Sequence, residues 1–118
     1  MEQPMYPEAS RELHRQRQEL APAAAAAFKA FGESVFADGA LPAKTKELIA
    51  VAVAHVTQCP YCIRGHTERA LREGATQQEV MEAIWVAAEM RAGAAYAHSN
   101  LALETMNQYA SKHTHPAA

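Results

Sequence analysis

The sequence predicts a single all-α domain of five or six helices. Alanine fills 27 of the 118 positions, against 6 prolines and 5 glycines, and this composition favours helix. No segment alternates apolar and polar positions with the β-branched residues that are typical of a strand. The length suits one domain spanning residues 1–118, because the chain has no repeat and no linker long enough to divide it.

Capping residues and prolines place the first three helices. We expect the first helix to run from about Ser10 to Leu20. Pro22 fits the first turn of a second helix, and the pair Asp38-Gly39 marks the turn that follows it. Pro42 opens a third helix, which continues to about Thr57.

The remaining helices are marked in the same way. Cys59-Pro60 begins a fourth helix, and Gly74 is well placed to cap its C-terminus. Thr76 followed by Glu79 predicts a capping box at the start of a fifth helix. Gly93 is expected to break or kink that helix, with a sixth segment continuing to about Tyr109. We expect a domain core at about 20–110, with flexible ends at 1–8 and 111–118.

Charge and targeting signals argue against several classes of partner. The chain has 11 basic and 13 acidic residues, a net charge of −2 that gives no basic field for nucleic acid. Met1–Pro7 lacks the basic start and apolar run of a signal peptide. The longest uninterrupted apolar stretch, Leu48–Ala54, has seven residues, against about 20 for a membrane span. We therefore expect a soluble cytoplasmic protein with neither a nucleic-acid partner nor a membrane partner.

Two segments are too apolar for a small monomer. Leu48–Val56 is apolar on nearly every face, and Ala83–Tyr96 is almost as rich. A helix that is apolar all round must be covered on all sides, and a domain of this size can hardly enclose two such helices. Subunit contacts are the expected cover, so the sequence predicts a homo-oligomer. We assign three large apolar residues to the core: Met81, Trp85 and Met90. Tyr96 is expected to line a pocket or an interface.

The most informative segment runs from Glu47 to His66 and contains the only two cysteines of the chain, spaced as Cys-x-x-Cys. Because Pro60 starts a helix, Cys59 lies at the N-cap and Cys62 in the first turn. Unpaired amides and the helix dipole favour a thiolate there. His66 lies one turn beyond Cys62 on the same face, where it can exchange a proton with that sulfur. The pattern indicates redox chemistry.

Two residues before the cysteine pair are candidates for proton transfer. Glu47 lies on the preceding helix, and its carboxylate would orient His66 or join a proton relay if the third and fourth helices pack as a hairpin. His55 precedes Cys59 by one turn. Taken singly, Glu47 is also compatible with an exposed helix charge, and His55 with a packed helix histidine.

Other interpretations of the cysteine pair stay open. Zinc would take both cysteines and His66, with Glu47 or His55 as fourth ligand, although structural zinc usually draws on two separated ligand pairs. The cysteines would otherwise be buried core residues. Haem attachment is excluded because Ile63 stands where a histidine is needed. We expect no metal and no bound cofactor.

The same residues carry a family resemblance. Glu47, Cys59, Cys62 and His66 form the pattern Glu, eleven residues, Cys-x-x-Cys, three residues, His. This pattern resembles the signature of the alkylhydroperoxidase D (AhpD)-like proteins of the carboxymuconolactone decarboxylase superfamily, and the similarity covers about Leu41–Leu103. The resemblance implies an all-helical fold that assembles as homotrimers or homohexamers, in agreement with the argument from the apolar segments.

The resemblance also implies peroxide reduction through the cysteine pair. Carried over by position, Cys62 would be the peroxidatic cysteine that becomes a sulfenic acid, and Cys59 would resolve it as a disulfide. His66 and Glu47 would form the proton relay. A dithiol partner protein would reduce the disulfide by exchange, so the redox-active pair stands in place of a cofactor.

Two points qualify these assignments. Helix geometry alone favours Cys59 as the nucleophile, as in thioredoxin-like sites, whereas His66 and the family pattern favour Cys62, which we follow. Well-characterised hydroperoxidases of this group can carry a histidine inside the Cys-x-x-Cys, where this chain has Tyr61. The relay is therefore expected to be shorter, or His55 substitutes from the previous turn.

The sequence thus predicts a thiol-dependent peroxidase that acts on alkyl or hydrogen peroxides. One alternative is a carboxymuconolactone-type decarboxylase, which works on a lactone acid and needs no cysteine pair. Another is a non-enzymatic zinc-binding or redox-sensing oligomer.

Overall fold

The computed structural model describes residues 5–113, which form five helices and no strand. The helices are α1 (Arg11–Leu20), α2 (Pro22–Phe36), α3 (Ala43–Thr57), α4 (Pro60–Arg72) and α5 (Gln77–Lys112). The all-α prediction is confirmed, and of the five or six helices expected, five are present in this range. No helix within this range is both long and apolar enough to cross a bilayer.

The capping residues that the sequence predicts lie at the helix ends. The Ser10 side chain accepts a hydrogen bond from the Leu13 N–H and caps α1. Thr76 and Glu79 form both bonds of the capping box at the start of α5, with lengths of 2.9 and 3.0 Å. Gly74 adopts a φ of +93° just after α4, a left-handed conformation that glycine enters without steric cost.

The prediction that Gly93 interrupts the last helix is wrong. The helix α5 runs unbroken for 36 residues, or about 54 Å at 1.5 Å per residue. A glycine inside a helix costs about 1 kcal/mol relative to alanine, and the alanine-rich sequence around Gly93 tolerates that cost. Ser111 and Lys112, placed in a flexible end by the sequence, belong to α5; residues 1–4 and 114–118 of the expected ends lie outside the described range.

The core is small and is built around α3. This helix packs against both α4 and α5, while α1 packs against α2. A cluster of four buried residues joins the three central helices, with Leu48 and Ile84 packed against it: Val51, Ala70, Ala75 and Val80. Only part of α3 is covered in this way, because Val51 is fully buried whereas Val53 is 52% exposed.

The chain is extended for its size. Its principal extents are 76 × 36 × 33 Å and its radius of gyration is 22.2 Å, against about 13 Å for a compact domain of this length. The accessible surface is 9922 Å², whereas a compact 12.8 kDa monomer exposes about 6,300 Å². The single chain therefore leaves an unusually large surface uncovered.

The core assignment of Met81, Trp85 and Met90 is wrong for the single chain. These side chains are about half exposed or more, with Trp85 at 67%. The physical reason is a mismatch of lengths: the 15 residues of α3 span about 22 Å, less than half the length of α5. The partners of α5 in this chain, α3 and α4, cannot cover all of its apolar surface.

The capping box yields a pH-dependent prediction. The Thr76 N–H donates to the Glu79 carboxylate, and the Lys44 ammonium lies 3.0 Å from it. Together these contacts hold the pKa of Glu79 below its usual value of 4.5. A carboxyl whose pKa is lowered on folding contributes stability above its unfolded pKa, and that contribution is lost as the pH falls through the folded pKa.

We therefore expect Glu79→Gln to lower the free energy of unfolding at pH 7. The difference from the parent protein should shrink as the pH falls below about 4.5. Urea titrations at matched protein concentration across pH 3–7 measure it. A difference that stays constant over this range would show that the Glu79 charge does not stabilise the fold.

Candidate active site

A tight reversal between α3 and α4 assembles the predicted residues. Gln58 ends α3 in a left-handed conformation with a φ of 58°, and the Cys59 N–H donates to the Ala54 carbonyl oxygen at 3.2 Å. Pro60 then occupies the first turn of α4. This reversal folds α4 back along α3, which is the hairpin that the proposed Glu47–His66 contact requires.

The two cysteines form a disulfide at the start of α4. Cys59 is the N-cap residue, and its Sγ accepts a hydrogen bond from the Cys62 N–H at 3.2 Å. Both cysteines are partly buried. The sulfur atoms therefore lie beside the positive end of the α4 dipole, an environment that favours a thiolate when the bond is reduced.

Glu47 and His66 are held together across the hairpin. The Glu47 Oε2 lies 2.7 Å from the His66 Nδ1, and Glu47 is only 6% exposed. A buried carboxylate is costly unless a hydrogen-bonded partner compensates it, and His66 is that partner. Because Nδ1 is engaged by Glu47, Nε2 is the ring nitrogen left for other groups.

Two further residues lie beside this pair, and sequence reasoning missed both: Phe36 contacts His66, and Lys46 contacts the backbone on either side of Phe36. The ring of Phe36, at the end of α2, stacks on the imidazole of His66 with a centroid distance of 5.1 Å and an interplanar angle of 24°. The Lys46 Nζ donates to the carbonyl oxygens of Val35 and Ala37, at 2.8 and 2.6 Å. Phe36 lies 30 positions before His66, and no local pattern signals a contact across that separation.

A mostly apolar cavity of about 430 Å³ opens beside the motif. Most of its lining residues belong to α3, while α2 and α4 contribute two each, with Cys62 and His66 on the α4 side. Of the predicted residues, Cys62 and His66 line the cavity, with Glu47 in contact with His66; Cys59 and His55 are not among the lining residues. The apolar lining includes Val35, Phe36, Ile49, Ala50 and Val53.

His55 and Tyr61 are engaged elsewhere. The His55 Nδ1 lies 2.7 Å from the Val51 carbonyl oxygen of its own helix. The Tyr61 hydroxyl donates to the Pro7 carbonyl oxygen at 2.7 Å, and its ring meets that of Tyr6 edge to face. The Tyr61 side chain therefore contacts the segment before α1 and does not line the cavity.

The cysteines and His66 do not form a metal cluster in this structure. Over residues 5–113, no group of three or more His, Cys, Asp or Glu side chains is placed to hold a metal ion. The two sulfur atoms are bonded to each other, and Glu47 is the partner of His66.

Comparisons with known proteins identify the family of this chain. Residues 22–105, from the start of α2 into α5, match the Carboxymuconolactone decarboxylase family. The chain is 68% identical over 82 residues to uncharacterized protein 4 in the cox locus of Paracoccus denitrificans, which covers 70% of this chain and 74% of that protein.

Two crystal structures are also similar. A protein from Methanobacterium thermoautotrophicum has a TM-score of 0.67 and 41% identity, over 70% of this chain and 93% of that one. A carboxymuconolactone decarboxylase family protein from Legionella pneumophila has a TM-score of 0.63 and 35% identity, over 83% and 87%. With its helical fold, its cysteine pair and these matches, the chain belongs to the carboxymuconolactone decarboxylase family.

Proposed function

We propose that this protein is a thiol-dependent peroxidase that reduces alkyl hydroperoxides through the Cys59–Cys62 pair. One observation carries the proposal: Cys62, in a disulfide with Cys59, lines the same cavity as His66, whose Nδ1 is held by the buried Glu47. A reducible pair, a proton carrier and an open apolar cavity for substrate thus meet at one place.

The chemistry balances with a dithiol as the reductant. The Cys62 thiolate attacks the distal oxygen of the hydroperoxide, the O–O bond breaks, and the leaving alkoxide takes a proton and becomes an alcohol. Cys62 is then a sulfenic acid, which the Cys59 thiol attacks to form the disulfide and release water. A dithiol partner protein reduces the disulfide by exchange. Its two electrons and two protons complete the conversion of ROOH to ROH and water.

The arrangement around His66 supports its role as the proton carrier. With Nδ1 fixed by Glu47, Nε2 is free to take the proton from the Cys62 thiol and to return it to the alkoxide. His66 follows Cys62 by four residues, which places both on one face of α4. His55 has no place in this proposed relay because it is not among the residues that line the cavity.

The position of Cys62 also supports its assignment as the nucleophile. A peroxide in the cavity meets Cys62 and not Cys59, which is the N-cap residue and is not part of the lining. Helix geometry alone favours Cys59 as the nucleophile. In this proposal Cys59 is instead the sulfur that the dithiol reductant attacks, from outside the cavity.

The cavity favours organic substrates over hydrogen peroxide. Its lining is predominantly apolar, and burying an alkyl group there gains about 0.8 kcal/mol per methylene. Lys46 is the only cationic lysine or arginine among the lining residues, and its ammonium already donates to two carbonyl oxygens. A bulky alkyl group therefore suits this cavity better than a carboxylate-rich lactone acid, the substrate class of the alternative decarboxylase function.

We also propose that the protein works as a homo-oligomer, a trimer or a hexamer. The chain exposes about 3,600 Å² more than the scaling for a compact monomer of its mass. Several large apolar side chains of α5 are exposed, among them Trp85 and Tyr96, which is 83% exposed. Exposed apolar side chains in such number on one helix mark association sites.

The cysteine roles give the first prediction for this function. Reduced protein mixed with one equivalent of cumene hydroperoxide should consume it, lose both thiols and lose about two daltons of mass. Cys62→Ser should consume none. Cys59→Ser should consume one equivalent and stop at a sulfenic acid that dimedone traps.

The same assay separates the alternatives. Hydrogen peroxide should react at least about 10-fold more slowly than cumene hydroperoxide if the apolar cavity contributes to binding. Thiols that survive while the peroxide remains would contradict the proposal. Metal analysis and assays with lactone acids would then test the zinc-binding and decarboxylase alternatives.

The Glu47–His66 contact gives the second prediction. Glu47→Gln keeps the size of the side chain but removes its charge, so the reduction rate at pH 7 should fall about 100-fold, the range of general acid–base contributions. Glu82→Gln, an exposed position on α5, serves as the control. If Glu47→Gln reacts at the parent rate, the carboxylate has no part in proton transfer.

Association gives the third prediction. Light scattering should return three or six times the chain mass of 12.8 kDa. Trp85→Glu should lower this mass, because it places a charge on a surface that another subunit would cover. Gln78→Glu adds the same charge at an exposed polar position of α5 and should leave the mass unchanged. A parent protein whose mass by light scattering is that of one chain would refute the proposed assembly.

A further inference from the structure

The geometry points to Phe36 and Lys46 as positioning residues for His66. Lys46 fixes the backbone around Phe36, and the Phe36 ring fixes the plane of the His66 imidazole. That imidazole is the group proposed to exchange a proton with Cys62. This inference rests on the proposed peroxidase function, and we call the two residues with His66 and Glu47 the imidazole clamp.

The first half of the clamp is the bond of Lys46 to the end of α2. Its ammonium donates to the carbonyl oxygens of Val35 and Ala37, the two neighbours of Phe36 in the sequence. The last carbonyls of a helix lack partners within it and carry the negative end of its dipole. The Lys46 ammonium there both supplies a donor to these carbonyl oxygens and balances the negative end of the dipole. Because it holds the peptides on either side of Phe36, it also restrains the position of that residue.

The second half is the stack of Phe36 on His66. The ring planes lie 24° apart with their centroids 5.1 Å apart, while Glu47 holds Nδ1 at the edge of the imidazole. The Glu47 contact restrains rotation within the plane of the ring, and the Phe36 contact restrains its tilt. Both are needed to fix the direction of Nε2, the nitrogen proposed to exchange a proton with Cys62.

The clamp closes through adjacent residues of α3. Lys46 and Glu47 follow one another in the sequence. Lys46 holds the backbone around Phe36, and Glu47 holds the imidazole of His66. Phe36 is partly buried in this contact, whereas Phe28 and Phe31 on the same helix are 75% and 63% exposed. Of these three phenylalanines of α2, Phe36 is thus the one that contacts the site.

The clamp is tested with Phe36→Leu, which keeps an apolar side chain but removes the aromatic face. The kcat for cumene hydroperoxide should fall about 10-fold, because misplaced groups slow the chemical step. Phe36 also lines the cavity, but leucine keeps that wall apolar, so KM should change less than kcat. Phe36→Tyr should restore most of the loss. Phe28→Leu, at an exposed position of the same helix, is the matched control.

A second readout does not depend on peroxide turnover. In reduced protein, the pH profile of Cys62 alkylation by iodoacetamide reports the thiolate, and the ¹⁵N signals of His66 report which ring nitrogen carries the proton. Phe36→Leu should shift the alkylation profile and average the two nitrogen signals. Lys46→Met should do the same to a smaller extent, because it leaves the ring in place but frees its backbone.

The outcomes separate the clamp from the proposed function. If Phe36→Leu and Lys46→Met both keep the parent alkylation profile and ¹⁵N signals, the clamp is refuted whatever the peroxidase activity. If the parent protein consumes no peroxide but the variants change both readouts, the proposed function fails and the clamp stands. Lys46→Met leaves Phe36 intact, so it tests the clamp even where Phe36→Leu does not fold.

Discussion

The contact on which the rest of the site depends is the bond between Glu47 and His66. A carboxylate that is 6% exposed requires a hydrogen-bonded partner, and His66 at 2.7 Å is the partner it has. This requirement fixes the register of α4 against α3. The register in turn places Cys62, one turn before His66, at the cavity, and it places Cys59 at the tight reversal where the hairpin begins.

The helix α3 has to serve two surfaces at once. One face contributes Val51 and Leu48 to the core with α4 and α5, and another contributes Ile49, Ala50 and Val53 to the cavity wall. This double use explains why the segment is apolar on nearly every face. It also explains why the site is lined by residues that a search for polar motifs overlooks, since the cavity wall is made of the same residue types as the core.

The extended shape follows from the small core. Four buried residues and their neighbours cannot enclose a 36-residue helix, and α1 lies outside the contacts made by the three central helices. The match to the family begins at Pro22, so the shared part of the fold includes α2, whose end reaches His66 through Phe36. The matched region therefore begins with the helix that carries Phe36.

The sequence by itself determined the helices and the spacing of the motif. Ser10, Pro22, Pro60 and the Thr76–Glu79 box act locally, so their effect can be predicted without knowledge of the fold. The spacing of Cys59, Cys62 and His66 is likewise local, because all three belong to one helix and its cap. The continuity of α5 through Gly93 was not predicted, because a glycine only weakens a helix and its neighbours decide the outcome.

Only the tertiary structure decided which distant residues meet. The contact of Glu47 with His66 was conditional on hairpin packing, and the stack of Phe36 on His66 and the two bonds of Lys46 had no signal in the sequence. Phe28, Phe31 and Phe36 share a helix and a residue type, yet only Phe36 is placed against the imidazole. The sequence pattern states which side chains a helix offers, whereas the path of the chain between helices decides what each side chain reaches.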